Sequence, residues 1–454
     1  MSSEIKSARI RYVVEELRDQ YLAPDRRPWV VGFSGGKDST VLLELVWKAL
    51  ELLRPAQRQR PVYVVSNDTL VENPLIQQYL DRVLAQIREA AVRQTMPIHV
   101  ERTRPENLES YWVNVIGRGY PVPNSSFRWC TERLKIRPSM RFVARRVASD
   151  GQVIMLLGTR RHESGMRRRS IRRHEIVGER LSHHPNAPGA YVYSPIKELL
   201  LEEVWYVINA LPSPWGADNG ELFKLYADAS ADDYECPTML ADTERPTCGQ
   251  SRFGCWTCTL VQQDRALQAQ VDNGAEWLRP LLVLRNALVA ERNIPGNRQP
   301  YRRNGQWAER EDGRRFGPYT AEYRQSLLVR LLNAQRAVQQ HVPTLELIGS
   351  GELQRIQQIW HQDGIMARSV AEIYAEVYQK RLDMARKEEK DAAVHQLIEQ
   401  ACRGSQADVE AIEKLVQLQR QYQSKRNRRG LNAGIEQILQ QYARALRTEG
   451  DESN

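Results

Sequence analysis

Apolar positions along the first half of the chain recur in two rhythms, one helical and one of short unbroken runs. Residues 8–22 carry apolar positions at helical spacing and predict an amphipathic helix. Arg27 to Phe33 (RPWVVGF) predicts a short strand, Ser34 to Thr40 a polar glycine-bearing loop, and Val41 to Leu53 (VLLELVWKALELL) a strongly apolar helix. Pro61 to Ser66 (PVYVVS) predicts a second buried strand, residues 74–95 a long helix, and Ile98 to Glu101 the start of another strand. A helix is expected from about residue 136, and Gln152 to Gly158 (QVIMLLG) predicts a further strand. Ser182 to Ala190 reads as a loop, Tyr191 to Ile196 as a last strand or extended segment, and Glu198 to Ala210 as a helix. Unbroken apolar strands alternating with helices predict an α/β fold, a parallel sheet covered on both faces.

The rhythm changes near residue 215. Residues 230–262 are irregular, and 263–293 read as helix. Residues 295–318 form a Gly/Pro/Arg-rich loop too polar to bury, and the pattern from 319 onward is helical, with breaks near Pro343 and Gly404. The expected division is an α/β domain over 1–215, a cysteine-bearing segment over 216–294, and a basic loop with a mostly helical region over 295–454. In that last region Ile412, Leu415, Val416, Leu418 and Tyr422 share one helical face that suits core packing or a partner, followed by the basic run Lys425 to Arg429. The closing TEGDESN is expected to be disordered.

Composition narrows the class. A chain of 454 residues, 41% hydrophobic, suits two or three domains. Mean hydropathy is -0.57, no run of 18 apolar residues occurs, and the N-terminus lacks the apolar core of a secretory signal. A cytoplasmic protein with no membrane partner is expected. The net charge of +9 suits a polyanionic partner. Of six cysteines, Cys236, Cys248, Cys255 and Cys258 fall within 23 residues, a pattern that favours a metal site over disulfides in that compartment.

Chemistry concentrates first in Ser34-Gly35-Gly36-Lys37-Asp38-Ser39-Thr40, between a strand and a helix. A helix N-terminus offers unpaired N–H groups and partial positive charge, Gly35 and Gly36 let an anion approach the backbone, and Ser34, Ser39, Thr40 and Lys37 add donors. The Walker pattern GxxxxGK[ST] is absent. The stretch instead resembles the SGGxDS signature of the PP-loop ATP pyrophosphatases. That resemblance implies a loop holding the β,γ-pyrophosphate of ATP, attack at the α-phosphate, and Asp38 binding Mg²⁺ or orienting the loop.

Asp68 and Thr69 follow the second strand, where open α/β sheets bind ligands, and so are placed to touch ribose or substrate; turn chemistry alone is the plainer alternative. Gly158-Thr159-Arg160-Arg161-His162-Glu163-Ser164, with Arg167 beyond, resembles the GxRxxES…R segment of PAPS reductases and their relatives. There the arginines contact phosphates, and Glu163 would orient one of them. Residues 137–180 hold twelve arginines against four acids. Together with 295–318 they predict a track for a nucleic-acid backbone, or else a solvated basic surface.

Cys130, in Ser126-Phe127-Arg128-Trp129-Cys130-Thr131-Glu132-Arg133-Leu134-Lys135, resembles the "CT…LK" element of the same relatives. Arg128, Arg133, Lys135 and a helix N-terminus are expected to lower its thiol pKa, which would suit a persulfide carrier. The four clustered cysteines suit Zn²⁺ or a [4Fe–4S] cluster equally in softness. Cys402 reads as structural, and the eight scattered histidines suggest no metal site.

SGGKDST, the CT…LK element, GTRRHES and Ser194-Pro195-Ile196-Lys197 before a Trp-bearing helix together resemble the PAPS reductase-like branch of the PP-loop fold. With the cysteine cluster and basic tail, the chain resembles the sulfurtransferases of DNA phosphorothioation, the DndC and SspD type. That family implies ATP, Mg²⁺ and a [4Fe–4S] cluster on Cys236, Cys248, Cys255 and Cys258, with zinc as the alternative. It also implies sulfur from a cysteine desulfurase, partner phosphorothioation subunits, and insertion of sulfur into the DNA backbone with Cys130, Lys37 and Asp38 as catalytic residues. A tRNA thiolase, a sulfonucleotide reductase and a non-catalytic nucleotide-sensing scaffold are the rival readings.

Overall fold

The structure, a computed structural model, describes residues 7–125, 127–163, 165–176, 178–228, 254–365, 368–382, 398, 401–402, 405–423 and 431–451. Helix α1 (Ala8–Leu22) begins where the Ser7 side chain accepts a hydrogen bond from the Ile10 N–H, a cap worth about 1 kcal/mol. Strand β1 (Trp29–Gly32) leads into α2 (Lys37–Glu51), in which every residue from Lys37 to Trp47 is buried. A helix apolar on all sides is a core helix, and α2 packs against α1 and the sheet. Strand β2 (Val62–Asn67), helix α3 (Pro74–Arg93) and strand β3 (Ile98–Thr103) follow, α3 capped by Asn73 with Pro74 in its first turn.

Helix α4 (Arg137–Asp150) then runs to β4 (Val153–Leu156), α5 (Gly165–His174), β5 (Ser182–His183), β6 (Ala190–Tyr193), α6 (Leu201–Ala210) and α7 (Asn219–Asp228). The six strands form one sheet in the order β3-β2-β1-β4-β6-β5, parallel except for β5 against β6. Strand β5 lies inside the stretch expected as loop; two residues are too few for a period-two signal. Both sheet faces are covered. Trp29, Val31, Val64, Ile154 and Leu156 pack with α1, α2, α3 and α6, whereas Val30, Val65, Val153 and Met155 pack with Phe142 and Val143 of α4.

The stretch expected as one helix over 263–293 divides into α8 (Arg265–Asp272) and α9 (Arg279–Glu291). Gly274 between them takes φ +105, which a side chain would resist. Helices α10 (Ala321–Gln339), α11 (Ser350–Gln362) and α12 (Val370–Tyr378) follow. They belong to the same compact unit as the sheet, Met1–Arg381, while Leu382–Asn454 forms a second unit. Two side chains explain the attachment of the helices: Arg324 and Trp360 donate to the Ile116 carbonyl at 2.8 and 2.9 Å, within the π-helical turn Val113–Gly117. In the second unit, helices Gln406–Gln423 and Leu431–Asp451 pack closely enough that a Cβ on Gly434 would meet Leu418 Cδ2 at 2.9 Å. Leu415, Val416 and Leu418 are half-buried there and Ile412 is exposed; Lys425 to Arg429 lie outside the described residues. No helix of the described residues is long and apolar enough to cross a membrane.

Candidate functional site

The loop between β1 and α2 is wired internally. Gly35 takes φ +76, and a Cβ there would strike Leu80 Cδ1 at 2.9 Å. Ser39 donates to the Gly36 carbonyl at 2.9 Å, and its hydroxyl lies 3.1 Å from that of Ser34, which is exposed where Gly35 to Thr40 are all buried. Lys37 is fully buried, its ammonium 3.3 Å from Asp38 Oδ2 and 5.2 Å over the Tyr226 ring of α7. The Lys37 N–H, one of the free donors of the helix N-terminus, donates to the Tyr226 hydroxyl at 3.1 Å. Thr40 Oγ1 is buried without a hydrogen bond.

The segment after β4 meets this loop. Asp38 also accepts from Arg160 Nε, so its carboxylate sits between two buried cations. Gly158 makes that approach possible, because a Cβ there would lie 2.9 Å from the Asp38 carbonyl oxygen. Glu163 pairs with Arg167 at 2.8 Å; burial pushes its carboxyl above the usual range, opposed first by Arg167. Lys37, Arg160 and Arg167 thus face Asp38 and Glu163, three cations to two carboxylates. That imbalance, at the carboxyl ends of neighbouring strands where the chain changes direction across the sheet, suits a phosphate group.

Asp68 and Thr69 have local partners. Asp68 accepts from Arg104 Nε and from the Leu70 N–H, both at 2.9 Å. Thr69 donates to Glu72 at 2.8 Å and lies 3.4 Å from Cys255 Sγ, joining the cysteine region.

That region gathers three segments. Glu72 bridges Cys255 in antiparallel fashion, and the Trp256 N–H donates to the Val71 carbonyl at 3.0 Å. The Cys255–Cys258 turn is closed by a 3.0 Å bond from the Cys258 N–H to the Cys255 carbonyl. Arg285 of α9 holds the Cys258 carbonyl at 3.0 Å and Gln262 at 2.7 Å, while Arg292 holds Thr259 at 2.6 Å. Cys130 opens the π-helical turn Thr131–Ile136, and Lys135 of that turn is buried.

The electrostatics correct the expectation of an acidic Cys130 thiol. Burial pushes Cys130 up to about 11, and the neighbouring Cys258 pushes the same way; Lys135 opposes both and loses. Arg133, expected to help, is turned to Glu109 at 3.1 Å and stacks over Tyr120. Burial also raises Cys255 and Cys258. For Lys135, burial pulls downward, but Cys255, Glu72, Cys130 and Cys258 around it carry its pKa upward. Glu72 is raised by burial. Lys135 acts on Cys130 in the expected direction, whereas Glu72 and the two arginines behind the cysteine turn are neighbours to which the sequence assigned no role.

Cys236 and Cys248 lie outside the described residues. Among the described residues, no three His, Cys, Asp or Glu side chains form a group that would hold a metal ion. Cys130, Cys255 and Cys258 are half-buried and unpaired by disulfides, and Cys402 is buried in the second unit. Soft thiols around a buried ammonium fit an anionic thiolate-ligated cluster in donor chemistry.

The profile of the phosphoadenosine phosphosulfate reductase domain matches residues 28–261, just over half of the chain. The chain belongs to that family. Its members are enzymes acting on nucleotides, and the match spans both the Ser34–Thr40 loop and the Cys255–Cys258 turn. An uncharacterized protein of Methanocaldococcus jannaschii is 30% identical over 162 residues, 35% of this chain. The matched part is 29% of that protein's length. The crystal structure of phosphoadenylyl-sulfate reductase from Candida auris, a phosphate complex, is similar at 17% identity and a TM-score of 0.30, covering 52% of this chain and 98% of that one.

Proposed function

We propose that this family member is an ATP pyrophosphatase and sulfurtransferase that replaces a non-bridging oxygen of a DNA phosphodiester with sulfur. The observation that carries the reading is the SGGKDST loop, joined through Asp38 to Arg160, on the same sheet edge as the Thr69–Cys255 contact. The loop N–H groups and the surplus of buried cations would hold the pyrophosphate of ATP, with Mg²⁺ as its counter-ion. Asp38, already clamped by Lys37 and Arg160, orients the loop.

A phosphodiester oxygen is a poor leaving group; attack on the ATP α-phosphate releases pyrophosphate and leaves that oxygen bonded to AMP. The terminal sulfur of a Cys130 persulfide, loaded by a cysteine desulfurase, attacks the DNA phosphorus, and AMP departs with the oxygen. An external thiol then cleaves the sulfur–sulfur bond, leaving the phosphorothioate and a disulfide that a dithiol reductant regenerates. A [4Fe–4S] cluster on Cys236, Cys248, Cys255 and Cys258, when bound, supplies a site for sulfur binding or reduction. Partner phosphorothioation subunits would select the strand.

Cys130 beside Cys255 and Cys258 favours a second reading, in which it is a ligand rather than a carrier. Cys130→Ser separates them. With a carrier, iron content and pyrophosphate release persist while sulfur in nuclease-digested DNA, read by mass spectrometry, disappears. With a ligand, iron content falls too. Release of inorganic phosphate without pyrophosphate would overturn the pyrophosphatase itself.

A further inference from the structure

The 295–318 stretch, expected as a Gly/Pro/Arg-rich loop, folds back twice over residues 298–319 into three short antiparallel stretches. The Arg302 N–H donates to Gln306 at 2.7 Å across a first turn, with Gly305 at φ +83. The Arg310 N–H donates to Arg314 at 2.9 Å across a second, with Gly313 at φ +76. Ala308 joins the three stretches, donating to Pro300 at 2.7 Å and accepting from Phe316 at 2.9 Å. The stretches meet so closely at Gly317 that a Cβ would lie 2.2 Å from the Tyr301 carbonyl oxygen.

The surface of this module is unlike a solvated loop. Tyr301 and Trp307 are directly opposed, hence on one face, and are 45% and 69% exposed. Phe316, on the other, is 45% exposed beneath the Arg310 guanidinium at 4.9 Å. Glu309 pairs with Arg315 and Asp312 with Arg314, whereas Arg302 and Arg310 make no ion pair among the described residues. The base is anchored: Arg298 donates to the Gly317 carbonyl at 2.7 Å, the Tyr319 N–H donates to Gly119 at 2.6 Å, and the Tyr319 hydroxyl accepts from the Val122 N–H at 3.2 Å. Gly119 to Val122 leads to Cys130, and Trp129 donates back to the Pro121 carbonyl at 3.0 Å.

We propose that the 298–319 module is a clamp for a single nucleic-acid strand, in which Trp307 and Tyr301 stack on unpaired bases on one face of the narrow ribbon while Arg302 and Arg310, on the opposite face, reach phosphates where the strand passes round its edge. Exposed rings on one face of a rigid support, backed by guanidinium groups that make no ion pair among the described residues, match the two aspects of such a strand, its π-surface and its charge. The anchor then brings the strand to the segment carrying Cys130. The inference rests on the nucleic-acid substrate of the function proposed above.

The test is fluorescence anisotropy of the full chain with a labelled oligonucleotide of about 16 nucleotides, as single-stranded DNA, single-stranded RNA and duplex DNA, at several salt concentrations. Single strands should bind tighter than duplex, and the preferred sugar names the strand. Trp307→Ala should weaken binding by about tenfold or more while Trp307→Phe keeps most of it. Arg302→Ala with Arg310→Ala should reduce the slope of log affinity against log salt by about 1.4, from two phosphates. These side chains are exposed, so an unchanged melting temperature verifies the fold. Affinity and salt slope equal to the parent in the variants, or duplex binding tighter than single strand, would overturn the clamp. Pyrophosphate release in the same samples keeps the two readings apart. Strand binding through Trp307 with no ATP cleavage sinks the proposed function and leaves the clamp; ATP cleavage with unaffected strand binding in the variants does the reverse.

Discussion

The Ser34–Thr40 loop and the cysteine region handle buried charge in opposite ways. At the loop, Asp38 is compensated twice over, by Lys37 and Arg160, and the whole group is sealed in the core. In the cysteine region the buried ammonium of Lys135 faces Glu72 and three thiols whose own ionisation burial suppresses, while the other buried cation, Arg285, donates to backbone carbonyls. The first arrangement is a structural keystone that also presents a positive field. The second leaves a cation in search of negative charge, such as thiolates would supply on ionising or on binding a metal. One region therefore couples chemistry to stability, and the other separates them.

The largest expected effect breaks the first region. Asp38→Asn leaves Lys37 and Arg160 buried against each other, and removing one partner from a buried ion group costs about 3–5 kcal/mol. Thermal unfolding should shift down accordingly, and pyrophosphate release should vanish with it. An unchanged melting temperature would show that the Asp38 network is not a keystone.

Lys135→Met sharpens the contrast, because it should alter chemistry with little loss of stability. Lys135 makes no ion pair among the described residues, and burial already favours the neutral form of Glu72, so an apolar residue of similar length strands no buried charge. In metal-free protein the Cys130 thiolate is dominant only above about pH 11, so alkylation should quicken about tenfold per pH unit from pH 8 to 10. The lysine favours the thiolate, so its loss should slow alkylation at any given pH by about tenfold. Equal rates in parent and variant would remove Lys135 from the thiol's electrostatics.

The smallest effect tests how far the loop's burial extends along α2. Glu44 is buried two turns beyond Asp38, and desolvation raises its pKa to about 8, against a hydrogen bond from Asn219. Its folded pKa exceeds the unfolded one, so the folded state keeps a proton that the unfolded state loses. Stability should fall as pH rises from about 4.5 to 8. Glu44→Gln should flatten that decline, raising the melting temperature at pH 8 by several degrees and leaving it nearly unchanged at pH 4. A parallel decline in parent and variant would place the titrating group elsewhere.

Much of the first region was legible in the residues. The SGGKDST stretch is contiguous, and its strand–loop–helix setting follows from VVGF before it and VLLELVW after it. The second region was legible only in pieces. Thr69 and Cys255 stand 186 residues apart, and even in the first region Tyr226 reaches Lys37 across 189. Local periodicity carries no information about such pairings. The acidic thiol expected for Cys130 fails for the same reason: the basic neighbours are visible in the sequence, but burial and the side-chain direction of Arg133 are not.

The sequence by itself determined the alternation of strands and helices, the sheet's two apolar faces and the strand–loop–helix setting of the SGGKDST stretch, because these depend on residues within a few positions of one another. Only the tertiary structure decided that Asp38 would be clamped by Arg160, that Cys130 would share its surroundings with Cys255, Cys258 and Lys135, and that residues 298–319 would form a supported module rather than a loop. Those outcomes depend on which distant segments the core brings together, and on the water that burial removes from around their charges.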